Sequence, residues 1–407
     1  MSNGIGGSKQ SEALERLVRL PTEVDEISVV EYRDRIRRVQ LSMKASGVDA
    51  LYINAGTNLL YFTGIQWYPS ERLFGAVIPA DGELVYIAPC FEKRTLCDAM
   101  KVAGEVVCWH EDESSYATFY KALGVLGITS ESGKKRIAIC ATASVAVFFG
   151  MKQLSGSYEL ISAEALVTGL RSVKSLSEIA LIQSAMNMTL RVHEAAASIL
   201  HEGMSTVEVR DFIEQAHRKL GASGSTFCSV LFGEATSYPH GVKDIQYLKK
   251  NDIVLIDTGC RYKNYNSDIT RTYVFGDPTD RQRFVWDTEK AAQAAAFKAA
   301  QLGVPCCDVD RAARQVVEAA GFGPGYQLPG LPHRTGHGIG LDLHEAPNLV
   351  GNDTTPLEAG MCFSNEPMIS IPGEFGIRHE DHFYMTSSGP VWFTQPAHSI
   401  EDPFGLS

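Results

Sequence analysis

The stretch "NEPMISIPGEFGIRHED", residues 365–381, places Glu366 and Glu380 at equal distances on either side of Gly373. A Pro-Gly pair between two β-rich runs predicts a hairpin turning at Pro372-Gly373, which makes the two glutamates cross-strand neighbours. Their Cβ atoms would then stand about 5 Å apart. Like charges directly opposite one another destabilise a sheet, so this register calls for a positive charge between the carboxylates.

Upstream, "NDIVLIDTGCRYKNYNSDITRTYVFG", residues 251–276, repeats the arrangement. A turn centred near Tyr262-Lys263 brings Asp257 opposite Asp268. One such pair alone reads as a solvated sheet edge or a turn Asp capping its own backbone. Two pairs in matching places, each at the end of an apolar strand where a carboxylate is costly to bury, predict four carboxylates converging on cations. Between the hairpins, "LPHRTGHGIGLDLHEAP", residues 331–347, holds His333, His337 and His344, and the Gly-His-Gly setting of His337 permits close backbone approach. Asp257, Asp268, His337, Glu366 and Glu380 form an oxygen-dominated set suited to two divalent ions among Mn2+, Fe2+, Co2+ and Zn2+. Ions roughly 3.5–4 Å apart leave room for a bridging hydroxide.

The rest of the chain bounds the architecture. At 407 residues, 44% hydrophobic and 21% charged, it can bury more than one core, and two domains are expected. A net charge of −11 without a long basic run argues against a nucleic-acid partner. The N-terminal "MSNGIGGSKQSEALERL" lacks the apolar run of an ordinary signal peptide, and no apolar stretch reaches membrane-spanning length. A soluble, cytoplasmic protein without membrane partners is expected. Nine scattered cysteines without a C-x-x-C pair read as buried thiols rather than a disulfide framework.

An α/β-type first domain is expected over residues 1–170, from helical "VVEYRDRIRRVQLSMKASG" and β-like "DALYINA", "LFGAVIPA", "ELVYIAP" and "RIAICA". The polar "SVKSLSE", residues 172–178, ends in a capping box at Ser175 and Glu178 and opens the second domain, 171–407. Two helices (about 177–201 and 205–220, the second boxed by Ser205 and Glu208) lead into "STFCSVLF" and "NDIVLIDTG". Two more, in "PTDRQRFVWDTEKAAQAAAFKAAQLG" and "CDVDRAARQVVEAAG", lead into the strands after Met361. This order predicts two similar halves around a shared sheet.

The D-T-G run with a second Asp eleven residues on in "SDITRTY", followed by "GHGIGLDLHE", "NEP" and "GIRHED", resembles the signatures of the pita-bread metallopeptidases: methionine aminopeptidase, aminopeptidase P and prolidase. The match covers roughly residues 170–400. The smaller preceding domain is similar to that of the creatinase, aminopeptidase P and prolidase group, and "RSVKSLSEIALI" and "NLLYFTG" look most like a small bacterial Xaa-Pro dipeptidase. The resemblance implies an α/β (α+β) chain, a creatinase/prolidase-like domain followed by a pseudo-symmetric pita-bread catalytic domain. It also implies small proline-containing peptides as substrates and a homodimer.

By the same resemblance, Asp257 would chelate one metal, His337 and Glu366 the other, and Asp268 and Glu380 would bridge them. Glu366 would also shuttle the proton from the nucleophilic water to the leaving amine. His240, in "SYPHGV", and His344 would contact the scissile carbonyl or the substrate, and His333 and Arg378 would stand behind the ligands. Arg378 can also be read as a surface salt bridge. The loop "QWYPSERL", with Trp67, Tyr68 and Arg72, is either domain packing or a reach over a neighbouring subunit's site. Among alternatives, a creatinase-like amidinohydrolase is disfavoured by the intact ligand set, and a dimethylsulfoniopropionate lyase by the peptidase spacing in "DTGCRYKNYNSD". Aminopeptidase P acting on longer peptides, and a non-enzymatic binding protein on the same scaffold, are the runners-up.

Overall fold

The computed structural model describes residues 4–19, 24–129 and 133–406. Two compact units emerge: Ile27–Arg171, and the residues from Ser172 onward together with the described residues up to Glu26. The N-terminal segment therefore differs from its expected place in the first domain. Gly6 and Ser8 donate backbone bonds to the Ala197 and Ser198 carbonyls, and Ala13 of helix α1 (Gln10–Arg16) and the adjoining Leu17 are buried in the core of the second unit.

The unit Ile27–Arg171 contains α2 (Val29–Ser46), β1 (Ala50–Asn54), α3 (Thr57–Thr63), β2 (Gly75–Pro79), β3 (Val85–Pro89), α4 (Lys93–Ala99), β4 (Glu105–Trp109), α5 (Ser115–Val125), β5 (Arg136–Ile139), α6 (Val145–Gln153), β6 (Glu159–Ser162) and α7 (Glu164–Arg171). Its six strands form one mixed sheet in the order β4-β3-β2-β1-β5-β6. The "QWYPSERL" loop is used in local packing: Trp67 stacks on Phe74 at 4.0 Å, and Arg72 pairs with Glu71 and Glu111. Tyr68 is exposed. All nine cysteines are free, but Cys97 is exposed and Cys90, Cys108 and Cys228 are partly exposed, so the expectation of uniformly buried thiols holds for only five.

The second unit continues with α8 (Leu176–Ser198), α9 (Thr206–Leu220), β7 (Ser225–Phe232), β8 (Ile253–Tyr262), β9 (Tyr265–Asn266), β10 (Ile269–Val274), α10 (Asp280–Ala299), α11 (Cys306–Ala319), β11 (Gly336–Gly338), β12 (Glu345–Leu349), β13 (Cys362–Asn365), β14 (Met368–Ile371), β15 (Phe375–Arg378), β16 (Asp381–Thr386) and β17 (Gly389–Trp392). Capping boxes start α8 at Ser175–Glu178 and α9 at Ser205–Glu208, as expected, and a third starts α10 at Thr279–Gln282. Along α9 the buried Val209, Phe212, Ile213, Ala216 and Leu220 recur at helical spacing, so one apolar stripe packs against Val230, Phe232, Val254 and Ile256 of β7 and β8. α10 and α11 cover the second half in the same way, around Phe363, Ile369, Ile377 and Phe383. The sheets run β10-β8-β7 and β12-β11-β13-β16-β17, with β14-β15 as a separate ribbon. They join where Thr270 and Glu380 exchange backbone hydrogen bonds.

A polar network pins the strand bend before β10. Thr189 Oγ1 lies 3.1 Å from His217 Nε2 and 2.7 Å from Ser267 Oγ, and His193 Nε2 lies 2.9 Å from the Ile269 carbonyl. Burial pushes the pKa of His217 down to about 4; burial and the charge of Arg271 push His193 down to about 3. Both rings are neutral in the folded state, whereas the unfolded chain protonates them below about 6.5. Their contribution to stability is therefore complete above that pH and is lost as pH falls towards 4 and then 3. In urea unfolding of metal-free protein, His217→Asn should make the fall in stability between pH 6.5 and 4 shallower by up to about 1.4 kcal/mol per pH unit. An unchanged slope would show that His217 is not a source of acid lability.

Candidate metal centre

The second hairpin has the expected register. Met368 pairs with Arg378 and Asn365 with Asp381, so Glu366 and Glu380 lie opposite one another between these pairs. The turn has Pro372 and Gly373 in its centre, with Gly373 at φ +80 and the Glu374 N–H donating to the Ile371 carbonyl, as a type II turn requires. The first hairpin differs from expectation. Its turn is Lys263-Asn264, both at positive φ, so Asp257 pairs with Thr270 rather than Asp268. The two aspartates become diagonal neighbours on the same face, which still points both carboxylates to one side. Gly259 of the D-T-G run permits the crossing: a Cβ there would stand 1.9 Å from the Ser267 carbonyl oxygen.

His337 sits mid-strand in β11, where Gly336 passes so close to β13 that a Cβ would lie 2.1 Å from the Ser364 carbonyl oxygen. Its backbone N–H donates to Ser364 Oγ, which donates in turn to Glu366 Oε1 at 3.1 Å. Nδ1 donates to the Gly338 carbonyl at 3.0 Å, and Nε2 faces the carboxylates. Nε2 stands 3.1 Å from Glu366 Oε1 and 3.8 Å from Asp268 Oδ2. Glu380 Oε2 accepts from Thr270 Oγ1 at 2.7 Å.

Asp257 is turned towards Arg378, whose guanidinium donates to Oδ2 at 2.6 Å, to Thr270 Oγ1 and to the Pro239 carbonyl. Arg378 is only 4% exposed, which removes the reading of a surface salt bridge. His344 packs edge-on against His337 at 4.1 Å between ring centroids. His333 holds its Nδ1 2.7 Å from the Arg334 carbonyl. His240 is exposed on the loop after a 3-10 turn at Gly233–Ser237, and its charge acts on both His333 and His344.

One residue escapes the sequence expectations: His382. Its ring, with Asp268, His337 and Glu380, contributes ligand-type atoms that all lie within 4.8 Å of one another. The available signal was the two-residue strand period after Glu380.

Buried negative charge dominates the electrostatics. Burial raises the Asp268 carboxyl well above its ordinary pKa, helped by Glu380, Asp257 and Glu366; burial and Glu366 do the same to Glu380. Burial raises Asp257 too, against the pull of Arg378. Burial also works against ionisation of Glu366, but the hydrogen bond and charge of His337, with the charges of His333 and Arg378, overcome it and hold that carboxyl low. Asp257 Oδ1, Asp268 Oδ1, Glu380 Oε1 and both ring nitrogens of His382 are buried without a hydrogen-bond partner. Each such atom costs about 1–3 kcal/mol, more when charged. Four carboxylates facing a single guanidinium fit divalent cations in donor type and in charge.

A mixed α/β unit followed by two helix-covered half-sheets around this acidic cluster defines a metallopeptidase. The sequence model of metallopeptidase family M24 matches residues 180–387, that of the creatinase/prolidase N-terminal domain matches residues 35–173, and the chain belongs to family M24. It is 32% identical to an uncharacterized peptidase of Staphylococcus aureus over 87% of this chain and 97% of that one. Among solved structures, dipeptidase PepE from Mycobacterium ulcerans superposes with a TM-score of 0.84 at 30% identity, covering 92% of this chain and 99% of that one. A recombinant prolidase from Thermococcus sibiricus gives a TM-score of 0.80 at 29% identity, covering 92% and 98%. Among the described residues, no helix is long and apolar enough to cross a membrane.

Proposed function

We propose that this chain is a dinuclear-metal-dependent dipeptidase that hydrolyses Xaa-Pro dipeptides. The observation that carries this reading is the meeting of Asp268, His337 and Glu380 beside Glu366, with buried carboxylate oxygens unpaired. The names of the prolidase and dipeptidase neighbours support the substrate class. Two divalent cations, Mn2+ first, held by Asp257, Asp268, His337, Glu366 and Glu380, would act as Lewis acids and lower the pKa of water from 15.7 towards ~7.

The chain's own groups divide the remaining work. Glu366, ionised and largely buried, takes the proton of the attacking water and passes it to the proline nitrogen, a poor leaving group until protonated. Burial and the neighbouring His337 push the pKa of His344 down to about 4, so it is neutral at pH 7 and can donate an N–H to the scissile carbonyl oxygen. His240 serves the substrate from the exposed loop. Arg378 fixes the direction of Asp257 and contributes to the field that keeps Glu366 ionised, and His333 stands behind the ligands. A homodimer in the cytoplasm completes the reading; nine thiols without a disulfide suit a reducing compartment.

Exhaustive chelation should abolish Gly-Pro hydrolysis and lower the melting temperature, because the clustered carboxylates lose their counter-charge. If both stay unchanged, the metal reading is wrong. Adding a residue after proline should reduce kcat/KM by roughly 10²-fold, the cost of leaving a carboxylate-binding group unpaired. Equal kcat/KM on Gly-Pro and Gly-Pro-Ala would favour an Xaa-Pro aminopeptidase.

A further inference from the structure

The outward alternation of β16 separates two sets of side chains. Asp381 points to the far side, where it meets Arg271, Gln293 and Thr394. Two-residue periodicity puts His382 on the face of Glu380, and its cross-strand partner is Ser364, the hydroxyl that links His337 to Glu366. The ring is fully buried and tilted 66° to His337 with centroids 5.9 Å apart.

Each of the other buried histidines in this unit has at least one polar neighbour, even His379, which makes no well-formed hydrogen bond but holds Nε2 3.2 Å from Glu289 Oε2. His193 meets the Ile269 carbonyl, and His217 meets Thr189 and Ser225. Neither nitrogen of His382 makes a well-formed hydrogen bond, and the Asp268 backbone that faces the ring offers at most a weak one. A buried imidazole so poorly partnered is costly unless something else occupies its lone pair. Its neighbours within ligand distance are two carboxylates and a second imidazole, a donor set that suits a borderline divalent cation.

We propose that His382 is a metal ligand which, with Asp268, His337 and Glu380, forms a cradle of two imidazoles and two carboxylates for one divalent ion. This rests on the dinuclear reading above and deepens it. The two metal positions become unequal. The one at His337 and His382 is rich in nitrogen, which there reverses the Mn2+ preference given above in favour of Co2+, Zn2+ or Fe2+. The one at Asp257 has oxygen donors only, one of them held by Arg378. The first fills before the second.

The test titrates Co2+ into chelator-stripped full-length protein, followed by calorimetry and by the visible absorption of the bound ion. Wild-type protein should bind two ions with distinct affinities. His382→Ala should weaken the tighter event by more than about 10²-fold, beyond the 10–100-fold expected for a residue that only orients ligands, and should change the visible spectrum of the first ion. Far-UV circular dichroism of the metal-free variant checks its fold, and His382→Gln, closer in size and polarity, serves if the alanine variant does not fold. Two ions bound with an unchanged first-ion spectrum in the His382 variants would overturn the ligand assignment and leave the dinuclear reading intact. A wild-type protein that binds no Co2+ would overturn both.

Discussion

Replacing Glu366 with Gln is expected to lower kcat on Gly-Pro by about 10²–10⁴-fold while most of the metal stays bound. The amide keeps the size of the side chain and one ligating oxygen, and it can still accept from Ser364 Oγ. It cannot take a proton from water. Glu380→Gln should behave differently. Glu380 already receives a hydrogen bond from Thr270 on one oxygen and leaves the other unpaired in the cluster, so losing its charge removes negative potential from between the two ions. Metal content should fall, and added metal should recover part of the activity. Metal analysis and kcat measured on both variants separate the two roles. If excess metal returns Glu366→Gln to near wild-type rates, Glu366 acts only as a ligand, and His240 or His344 must move the proton.

Much of this site can be read from the sequence because strand geometry converts spacing into position. Glu366 and Glu380 face each other as their symmetry about Gly373 requires, since Pro372-Gly373 carries its own turn chemistry. The first hairpin was less legible. The midpoint between Asp257 and Asp268 predicts a turn at Tyr262-Lys263, whereas the backbone bends at Lys263-Asn264, where asparagine tolerates positive φ. The consequence for chemistry is small, because facing and diagonal residues share a face. His382 lies beyond the second hairpin rather than between the two, so only the alternation after Glu380 marks it. The place of the N-terminal segment has no local signal. A seven-residue helix with one buried alanine does not state which core it joins, and only its docking on α8 and α9 decides.

The other large effect is expected on the reverse side of the same strands. Arg271 and Asp381 are completely buried, with Nη2 2.7 Å from Oδ1. Arg271 also donates to the backbone carbonyls of Thr270, Glu380 and Gln395, and Asp381 accepts from Thr394 and Gln293. Burial raises the Asp381 carboxyl, and Arg271 with these donors offsets that only in part. Removing one partner leaves an uncompensated charge inside the protein, so Arg271→Met or Asp381→Asn should each cost about 3–5 kcal/mol in urea unfolding. Arg281 and Glu374, by contrast, pair at 3.1 Å with both side chains nearly half exposed, and Arg281→Ala should cost less than about 1 kcal/mol. Combining Arg271→Met with Asp381→Leu should cost less than the sum of its parts, because neither charge is then left alone. The effect also bears on the metal centre, since Arg271 holds the carbonyl of Glu380 itself: a loosened strand should shift the Glu380 carboxylate and reduce metal affinity along with stability. If Arg271→Met costs no more than Arg281→Ala, the buried pair does not hold the two halves together, and the Thr270–Glu380 backbone bonds must suffice.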